Sequence, residues 1–508
     1  MNDHPPNDPP REVELKLAVP EGCSAAIVEH PAFRGPGVRE AASRHELTTY
    51  FDTPDRTLAR AGVSLRVRRT GERRVQTLKA DRRGGIAADR AEWEWPVEQD
   101  DPDLGLLAQT PVGEKLPRRL ELQPVFLTDI ERITRVVRRD GGSVIEAAFD
   151  TGAIVAGQAR DPVCELELEL KAGDPASLYR LALELHATVP LTVESLSKAA
   201  RGYRLRTGVA PSAQKAEDVG LRAKTSAAAA FRQILHTALG HLLANQPAAL
   251  SGDPEGVHQM RVAIRRLRAA LALFQPLLEP HTVSRFQAEL RRVGRVFGEA
   301  RDWDVFTLEV LPDALKAAGL KPWDSLLHPP AAERRQVAHH HFAAELHASP
   351  FTGLVLGLAA WAEEKTLLGG AELQRPIEAL CPRLLDRLAE KVERRGRHLA
   401  DCSDSERHAL RKSLKKLRYG IDYVASLFPA QQVDTYLGGC RKLQKTLGKM
   451  NDAVTASVLM DQLVVASRPD LAPAAGALSE QFDRIRADEL HKLSRRWKAF
   501  QAEPRFWR

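Results

Sequence analysis

The sequence predicts a multidomain α+β protein, with antiparallel strands in the first part of the chain and an all-α region of two repeated helical bundles in the second. Three observations carry this. Apolar and polar residues alternate with period two in several runs before residue 205. The period lengthens to 3.6 from about Leu221 onward, and parts of the helical region recur at a constant offset of 150 residues. A chain of 508 residues also exceeds what one ordinary core holds.

Alternation is clearest at 12–17, 63–68 and 165–171, with further strand-like runs near 44–51, 74–80, 90–97, 124–138 and 143–149. Turn-forming Arg83-Gly84-Gly85 and Asp140-Gly141-Gly142 separate several of them. Helical pieces fit near 55–61, 175–188 and 194–204. Residues 1–10 read as a disordered, Pro-rich terminus, 206–221 as a linker, 222–500 as the helical region with halves at about 222–370 and 371–500, and 501–508 as a tail.

The repeat sets His258, Arg261 and Arg265-Arg266-Leu267-Arg268 against His408, Arg411 and Lys415-Lys416-Leu417-Arg418. Arg291-Arg292, Arg295, Gly298 and Asp302 match Arg441-Lys442, Lys445, Gly448 and Asp452 at the same offset.

Composition limits the function classes. No apolar run approaches the roughly 18 residues of a membrane span, and residues 1–10 lack the apolar core of a signal peptide. Five scattered cysteines give neither a disulfide framework nor a zinc site, so a reducing cytoplasm is expected. Charge divides unevenly. Residues 1–220 hold 31 Lys and Arg against 35 Asp and Glu, a net of −4; residues 221–508 hold 43 against 32, a net of +11. The second half therefore calls for a polyanionic partner. Nucleic acid, an acidic membrane surface and polyphosphate all satisfy charge alone.

In a strand, residues i, i+2 and i+4 share a face. Glu12, Glu14 and Lys16 lie opposite Val13, Leu15 and Leu17; Glu165, Glu167, Glu169 and Lys171 lie opposite Leu166, Leu168 and Leu170. Arg66 and Arg68 repeat the pattern, as do Arg90, Glu92 and Glu94. A solvated sheet face would carry such charges too. Recurrence on four strands instead fits a closed sheet with a polar lumen, where carboxylate pairs hold hard divalent cations and Lys and Arg hold a compact anion.

The ordered series EVELK (12–16), YFDTPDRTLARAGVSLRVRR (50–69), QTLKA (76–80), RAEWEW (90–95), FLTDIERITR (126–135), IEAAFDTG (145–152), ELELELK (165–171) and SKAARGY (197–203) resembles the CYTH, or triphosphate tunnel metalloenzyme, superfamily over residues 11–205. The resemblance implies an antiparallel eight-stranded β-tunnel and hydrolysis of a triphosphate by in-line attack of water, with pyrophosphate leaving. It further implies Mg2+ or Mn2+ held by Glu12, Glu14, Glu165 and Glu167. Triphosphate oxygens would be contacted by Lys16, Arg66, Arg68, Lys79, Arg132, Lys171, Lys198 and Arg201. Roles for Glu92, Glu94, Glu146, Asp150 and Glu169 stay open between metal and structure. Within the superfamily the motifs are most similar to bacterial inorganic triphosphatases. A nucleotide or thiamine triphosphatase, an adenylate cyclase and a non-catalytic polyphosphate-granule protein are the alternatives.

On a helical wheel Arg261, Arg265 and Arg268 fall within roughly 80° of His258, and Arg411, Lys415 and Arg418 stand likewise to His408. Neither stripe includes an acid over 258–272 or 408–421. Like charges at this spacing repel by a few tenths of a kcal/mol per pair, so a bound anion is expected to offset them. VHQMRVAIRRLR (257–268), RHALRKSLKKLRY (407–419), LRRVGRVFGEARDWDV (290–305) and CRKLQKTLGKMNDAV (440–454) resemble the CHAD domain over about 222–500. That resemblance implies a polyphosphate groove lined by His258, Arg261, Arg265, Arg266, Arg268, Arg292, Arg295, His408, Arg411, Lys415, Lys416, Arg418, Lys442 and Lys445. It also implies a cytoplasmic protein that can associate with polyphosphate granules. Glu299, where the second repeat has Lys449, implies a weaker grip at that end. The sequence shows no nucleic-acid-binding pattern, no P-loop, zincin or serine-hydrolase motif, and in His339-His340-His341 a run whose side chains diverge too widely on a helix to chelate one ion.

Overall fold

The computed structural model describes residues 11–35, 37–40, 43–80, 88–117, 119–139, 141–364, 370–399, 401–465 and 471–508; at Arg11, Glu12, Glu40, Ala88, Asp89, Arg90 and Val465 it describes the backbone only. The chain forms two compact units. One comprises Met1–Ser212 with His347–Glu364, the other Ala213–Leu346 with Lys365–Arg508. No single helix among the described residues is long and apolar enough to cross a membrane.

The first unit is built on strands β1 (Arg11–Ala18), β2 (Val38–Glu40), β3 (Arg44–Asp52), β4 (Val63–Thr70), β5 (Arg73–Ala80), β6 (Ala88–Val97), β7 (Gln123–Arg138), β8 (Val144–Ala156), β9 (Ala159–Ala172) and β10 (Thr192–Val193). Eight of these run β1-β6-β5-β4-β3-β7-β8-β9, and β9 returns to β1, so the sheet closes on itself. β2 and β10 hang on β7 and β1, outside the ring. Every pairing is antiparallel, and the closing one sets Lys16 opposite Glu167. Closure leaves no open edge along the ring and divides each strand by parity. Leu15, Leu17, Leu65, Leu78, Leu166 and Leu168 face away from the lumen and are fully buried, each worth roughly 1.5–3 kcal/mol.

Helices of ten residues or more are numbered. α1 (Pro175–His186) starts at Asp174, whose carboxylate accepts from Ala176 N, with Pro175 supplying the fixed φ of a first turn. α2 (Lys198–Thr207) is capped by Ser197, which accepts from Ala200 N, and ends at Gly208 in the left-handed conformation. α7 (Ser349–Glu363), which the sequence assigns to the helical region, belongs to this first unit and packs on α1 and β10. Its apolar face, with Phe351, Val355, Leu356 and Leu358 buried, explains the placement.

The second unit holds α3 (Ala227–Ala244), α4 (Pro254–Phe274), α5 (Pro280–Val305), α6 (Asp324–His347), α8 (Ile377–Gly396), α9 (Asp404–Val424), α10 (Ala430–Val465) and α11 (Ala472–Ala502). α4 and α9 are both 21 residues long and begin 150 residues apart. Ala227 N donates to Arg375 O and Ile377 N to Thr225 O, both at 2.9 Å. The two bonds interchange under the same offset, as an approximate twofold requires. The stretch 213–221 is no free linker: Gln214 exchanges hydrogen bonds with Asn245, and Val219 and Leu221 are buried.

Candidate functional site

Inward side chains of the β-ring surround a cavity of about 550 Å3. On its acidic side stands Glu167 of β9, which lines the cavity and whose carboxylate forms a cluster with Asp150 of β8 and Glu165 of β9, oxygens of all three lying within 4.8 Å of one another. Asp150 and Glu165 are almost wholly buried. Lys198, in the first turn of α2, donates to Asp150 at 2.7 Å, to Glu167 at 2.9 Å and also to Glu165. Lys16 donates to Glu14 and Glu167. Arg132 of β7 forks between Asp150 Oδ1 at 2.6 Å and Glu167 at 2.7 Å. Burial alone would raise the Glu167 pKa, but Lys16, Lys198 and Arg132 outweigh it and hold the group well below the usual carboxylate range. Burial likewise opposes the charge on Lys198, and the three carboxylates overcome it and push its pKa well up.

The basic side is formed by β4, β5 and β9. Arg66 donates to Tyr50 Oη at 3.4 Å and lies 3.6 Å from Glu92; Lys79 meets the same Glu92 at 2.8 Å. Arg68 pairs with Glu94 at 3.2 Å, and Thr77 also donates to Glu94. Lys171, more exposed, pairs with Glu169. The lumen is thus a lattice of alternating charges.

Of the residues expected from sequence, Glu14, Lys16, Arg66, Arg68, Lys79, Arg132, Glu167, Lys171 and Lys198 line the cavity. Glu165 joins them through the acid cluster. The side chain of Glu12 lies outside the described residues. Arg201 is not placed as a triphosphate ligand. It donates to Asp161 at 2.9 Å and to Pro162 O at 2.6 Å, stands 3.6 Å from Glu165 of the acid cluster, and does not itself line the cavity. Three residues beyond Lys198, it sits about 4.5 Å further along the helix, and there Asp161 captures it. Two acids gain roles that the motifs left open or passed over. Asp150 completes the cluster, which its shared parity with Glu146 foreshadows, and Glu46 stands 3.7 Å from Arg132 and 3.9 Å from Arg68.

These residues fit a divalent cation. Oε2 of Glu14 is buried without a hydrogen-bond partner, which is costly for a carboxylate unless something else satisfies it; Oε2 of Glu165 has no hydrogen bond either, only the Arg201 guanidinium at 3.6 Å. Clustered hard oxygens are the donor set that Mg2+ or Mn2+ takes.

In the helical unit, Arg261 and Arg265 of α4 and Arg411 and Lys415 of α9 are electrostatic neighbours. Burial, then the charges of Arg265, Arg411 and Arg261, pushes Lys415 down to about 6. Burial with Arg301 and Arg265 brings His258 down to about 4. Arg261 is paired with Asp302 at 2.8 Å and Arg411 stands 4.0 Å from Asp452, and His408 bonds Asn451. Arg265, Lys415 and Arg418 have no ion pair among the described residues. Nε of Arg265, Arg411 and Arg418 and Nδ1 of His258 are buried donors or acceptors with no partner.

Three expectations here are corrected or narrowed. Arg266 is buried, stacked over Tyr423 and donating to Glu217 O, because it lies on the flank of α4 that faces the core. Arg292 is held bidentately by Glu345 at 2.7 and 2.8 Å; its neighbour Arg291 is the one that meets Arg268. Arg295, Lys442 and Lys445 are exposed.

Comparisons with known proteins follow the same division. The CYTH domain model matches residues 10–203 and the CHAD domain model residues 233–461. An inorganic triphosphatase of Haemophilus influenzae is 34% identical over 199 residues, 38% of this chain and 55% of that protein, so the match spans about half the relative's length. An uncharacterized protein of Mycobacterium tuberculosis is 24% identical over 497 residues, 90% of this chain and 89% of the other. The crystal structure of the CHAD domain from the plant Ricinus communis aligns at a TM-score of 0.52 with 28% identity, covering 58% of this chain and 98% of that one. The β-ring unit is therefore homologous to an inorganic triphosphatase, and the chain belongs to the proteins that join a CYTH domain to a CHAD domain.

Proposed function

We propose that the β-tunnel hydrolyses inorganic triphosphate to pyrophosphate and phosphate with Mg2+ or Mn2+, and that the basic helical unit binds polyphosphate. The observation that carries the first part is the acid cluster of Asp150, Glu165 and Glu167, which meets the cavity at Glu167, in one lumen with the cations of Arg66, Arg68 and Lys79. An anion-binding pocket alone gains nothing from buried carboxylates; a pocket that must also hold a cation does. Glu14, Asp150, Glu165 and Glu167 would hold the metal, which neutralises phosphoryl charge and polarises the bond to be cut. Arg66, Arg68 and Lys79 bind and align the triphosphate, giving up Glu92 and Glu94 as they do so. Arg132, fixed by Asp150, presents its remaining donor edge to charge that develops in the transition state.

Phosphate release from triphosphate, ATP, thiamine triphosphate and long polyphosphate, with each metal, tests this. Activity concentrated on triphosphate and lowered roughly 100-fold or more by Glu165→Gln is expected. Turnover untouched by that change would remove the metal assignment. No turnover on any substrate would leave the chain as a polyphosphate-binding protein.

A further inference from the structure

The two halves of the helical unit treat equivalent corners differently. Beside α9, Lys416 has Arg268, Lys391, Arg395 and Arg291 around it; burial and these charges bring it down to about 8. Lys412 is similarly set beside Arg268 and Arg395. No carboxylate pairs with Arg268, Arg291, Lys391, Lys412 or Lys416 among the described residues, and Arg395 spends its donors on neutral acceptors, Ala409 O and Ser413 Oγ, at 2.7 Å.

Moving back 150 residues gives the counterpart corner. There His241, Asn245 and Val262 stand in place of Lys391, Arg395 and Lys412, so three of the cations are missing. The chain itself occupies the first two. Asn245 donates to Gln214 O at 3.0 Å, His241 lies 3.1 Å from the same oxygen, and Arg266, the counterpart of Lys416, donates to Glu217 O at 3.3 Å. Asp422 adds a half-buried carboxylate beside Arg418, Arg266 and Arg441, where the other corner has Ala272. One corner is thus plugged by residues 214–221 and charge-compensated by Asp422, and the other is open and cationic.

We propose that a phosphate chain seated on Arg265 and Lys415 leaves the helical unit on one side only, across Arg268 onto Arg291, Lys391, Arg395, Lys412 and Lys416. This rests on the polyphosphate reading of the central groove. A flexible polyanion displaces counterions at each cationic contact, so it follows the uncompensated charges and avoids the corner whose sites the chain already fills. Long chains then gain contacts that a short oligophosphate confined to the groove does not.

Binding of long-chain polyphosphate to the full-length protein, titrated against salt with a metal chelator present, separates the outcomes. Lys391→Gln with Lys412→Gln is expected to weaken binding about tenfold and to flatten the slope of log affinity against log salt by roughly 0.7 per contact removed. Lys215→Gln with Arg441→Gln removes the same charge from the plugging segment and the plugged corner, and should leave both unchanged. Equal losses for the two pairs, or no loss for the first, would overturn the one-sided path. Arg265→Gln with Lys415→Gln tests the groove separately. If that pair leaves binding intact, the polyphosphate reading itself falls; if it weakens binding while the first pair does not, only the path falls.

Discussion

Lys198 shows how a single side chain can hold a site ready. Its ammonium lies among three carboxylates, two of them at 2.7 and 2.9 Å, and so occupies space and charge that a divalent cation would use. A unit charge at this distance acts through several kcal/mol at the effective dielectric of a protein surface. Lys198→Gln should therefore tighten Mn2+ binding at least about tenfold, measured by calorimetry without substrate; unchanged or weaker binding would show that the ammonium supports the cation site. Lys415 poses the opposite problem, a cation among cations. Its pKa of about 6 in the folded chain lies far below the roughly 10.4 of an unfolded one. Between these values the unfolded chain holds a proton that the folded chain lacks, so stability of the helical unit rises with pH through this window. Burial, then Arg265 and Arg261 from α4 and Arg411 from α9, depress the group, and Asp452 from α10 opposes them only weakly. A polyanion in the groove restores the charge, so binding takes up a proton and weakens as pH rises above 6. Calorimetry at about pH 8 in buffers of different ionisation enthalpy would read that proton, and Lys415→Met should abolish most of it.

At the scale of elements, α2 depends on how closely it approaches the sheet. A Cβ added at Gly202 would come within 2.2, 2.3 and 2.6 Å of Phe126 ring atoms. That ring cannot give way, being stacked on Tyr50 at 4.5 Å and set edge-on to Tyr203, whose hydroxyl donates to the buried Asp52. Asp52 in turn accepts from the amides of Leu58 and Ala59, holding the short turn after β3. Gly202→Ala should cost about 1–3 kcal/mol and lower activity with it, because Lys198 rides on the same helix; a melting curve and an assay together check this. The same elements show what is legible in the sequence. Period two decides which face of a strand a residue takes, since a slip of one would turn every side chain over; hence Glu14, Lys16, Arg66, Arg68 and Glu167 can be assigned to the lumen. β8 and the start of β9 read short, because Gly152, Gly157 and Pro162 look like breakers although pairing continues through Ala153 opposite Pro162. A helical wheel finds the stripes on α4 and α9. It does not choose between Arg291 and Arg292, or show that Arg266 turns inward, because those outcomes depend on which neighbour packs beside the helix. Nor does composition show that 213–221 is pinned.

At the scale of the whole molecule, the helical region lends a helix to the tunnel unit. α7 follows α6 in sequence yet packs on α1 and β10, with Ser349 O 2.8 Å from His186 Nε2 and Gly353 close to the same ring. α1 itself buries Leu178, Leu181 and Leu185. Removing α7 uncovers apolar surface on both α1 and the rim of the sheet, at about 25 cal/mol per Å2. The boundary that the sequence draws near residue 205 therefore leaves out a helix that packs within the tunnel unit. A fragment ending at Ser212 should melt several degrees below the intact tunnel unit and aggregate, and joining residues 347–364 to it through a flexible linker should restore both its melting temperature and its solubility. Light scattering and calorimetry on the two fragments decide the matter. If the shorter one is already as stable as the longer, α7 only rests on a surface that needs no cover. If it is not, the stability of the tunnel unit, and with it the triphosphatase activity proposed for it, depends on a helix that the chain supplies from within the sequence of the helical region, and the tunnel cannot be cut away at residue 212 without loss.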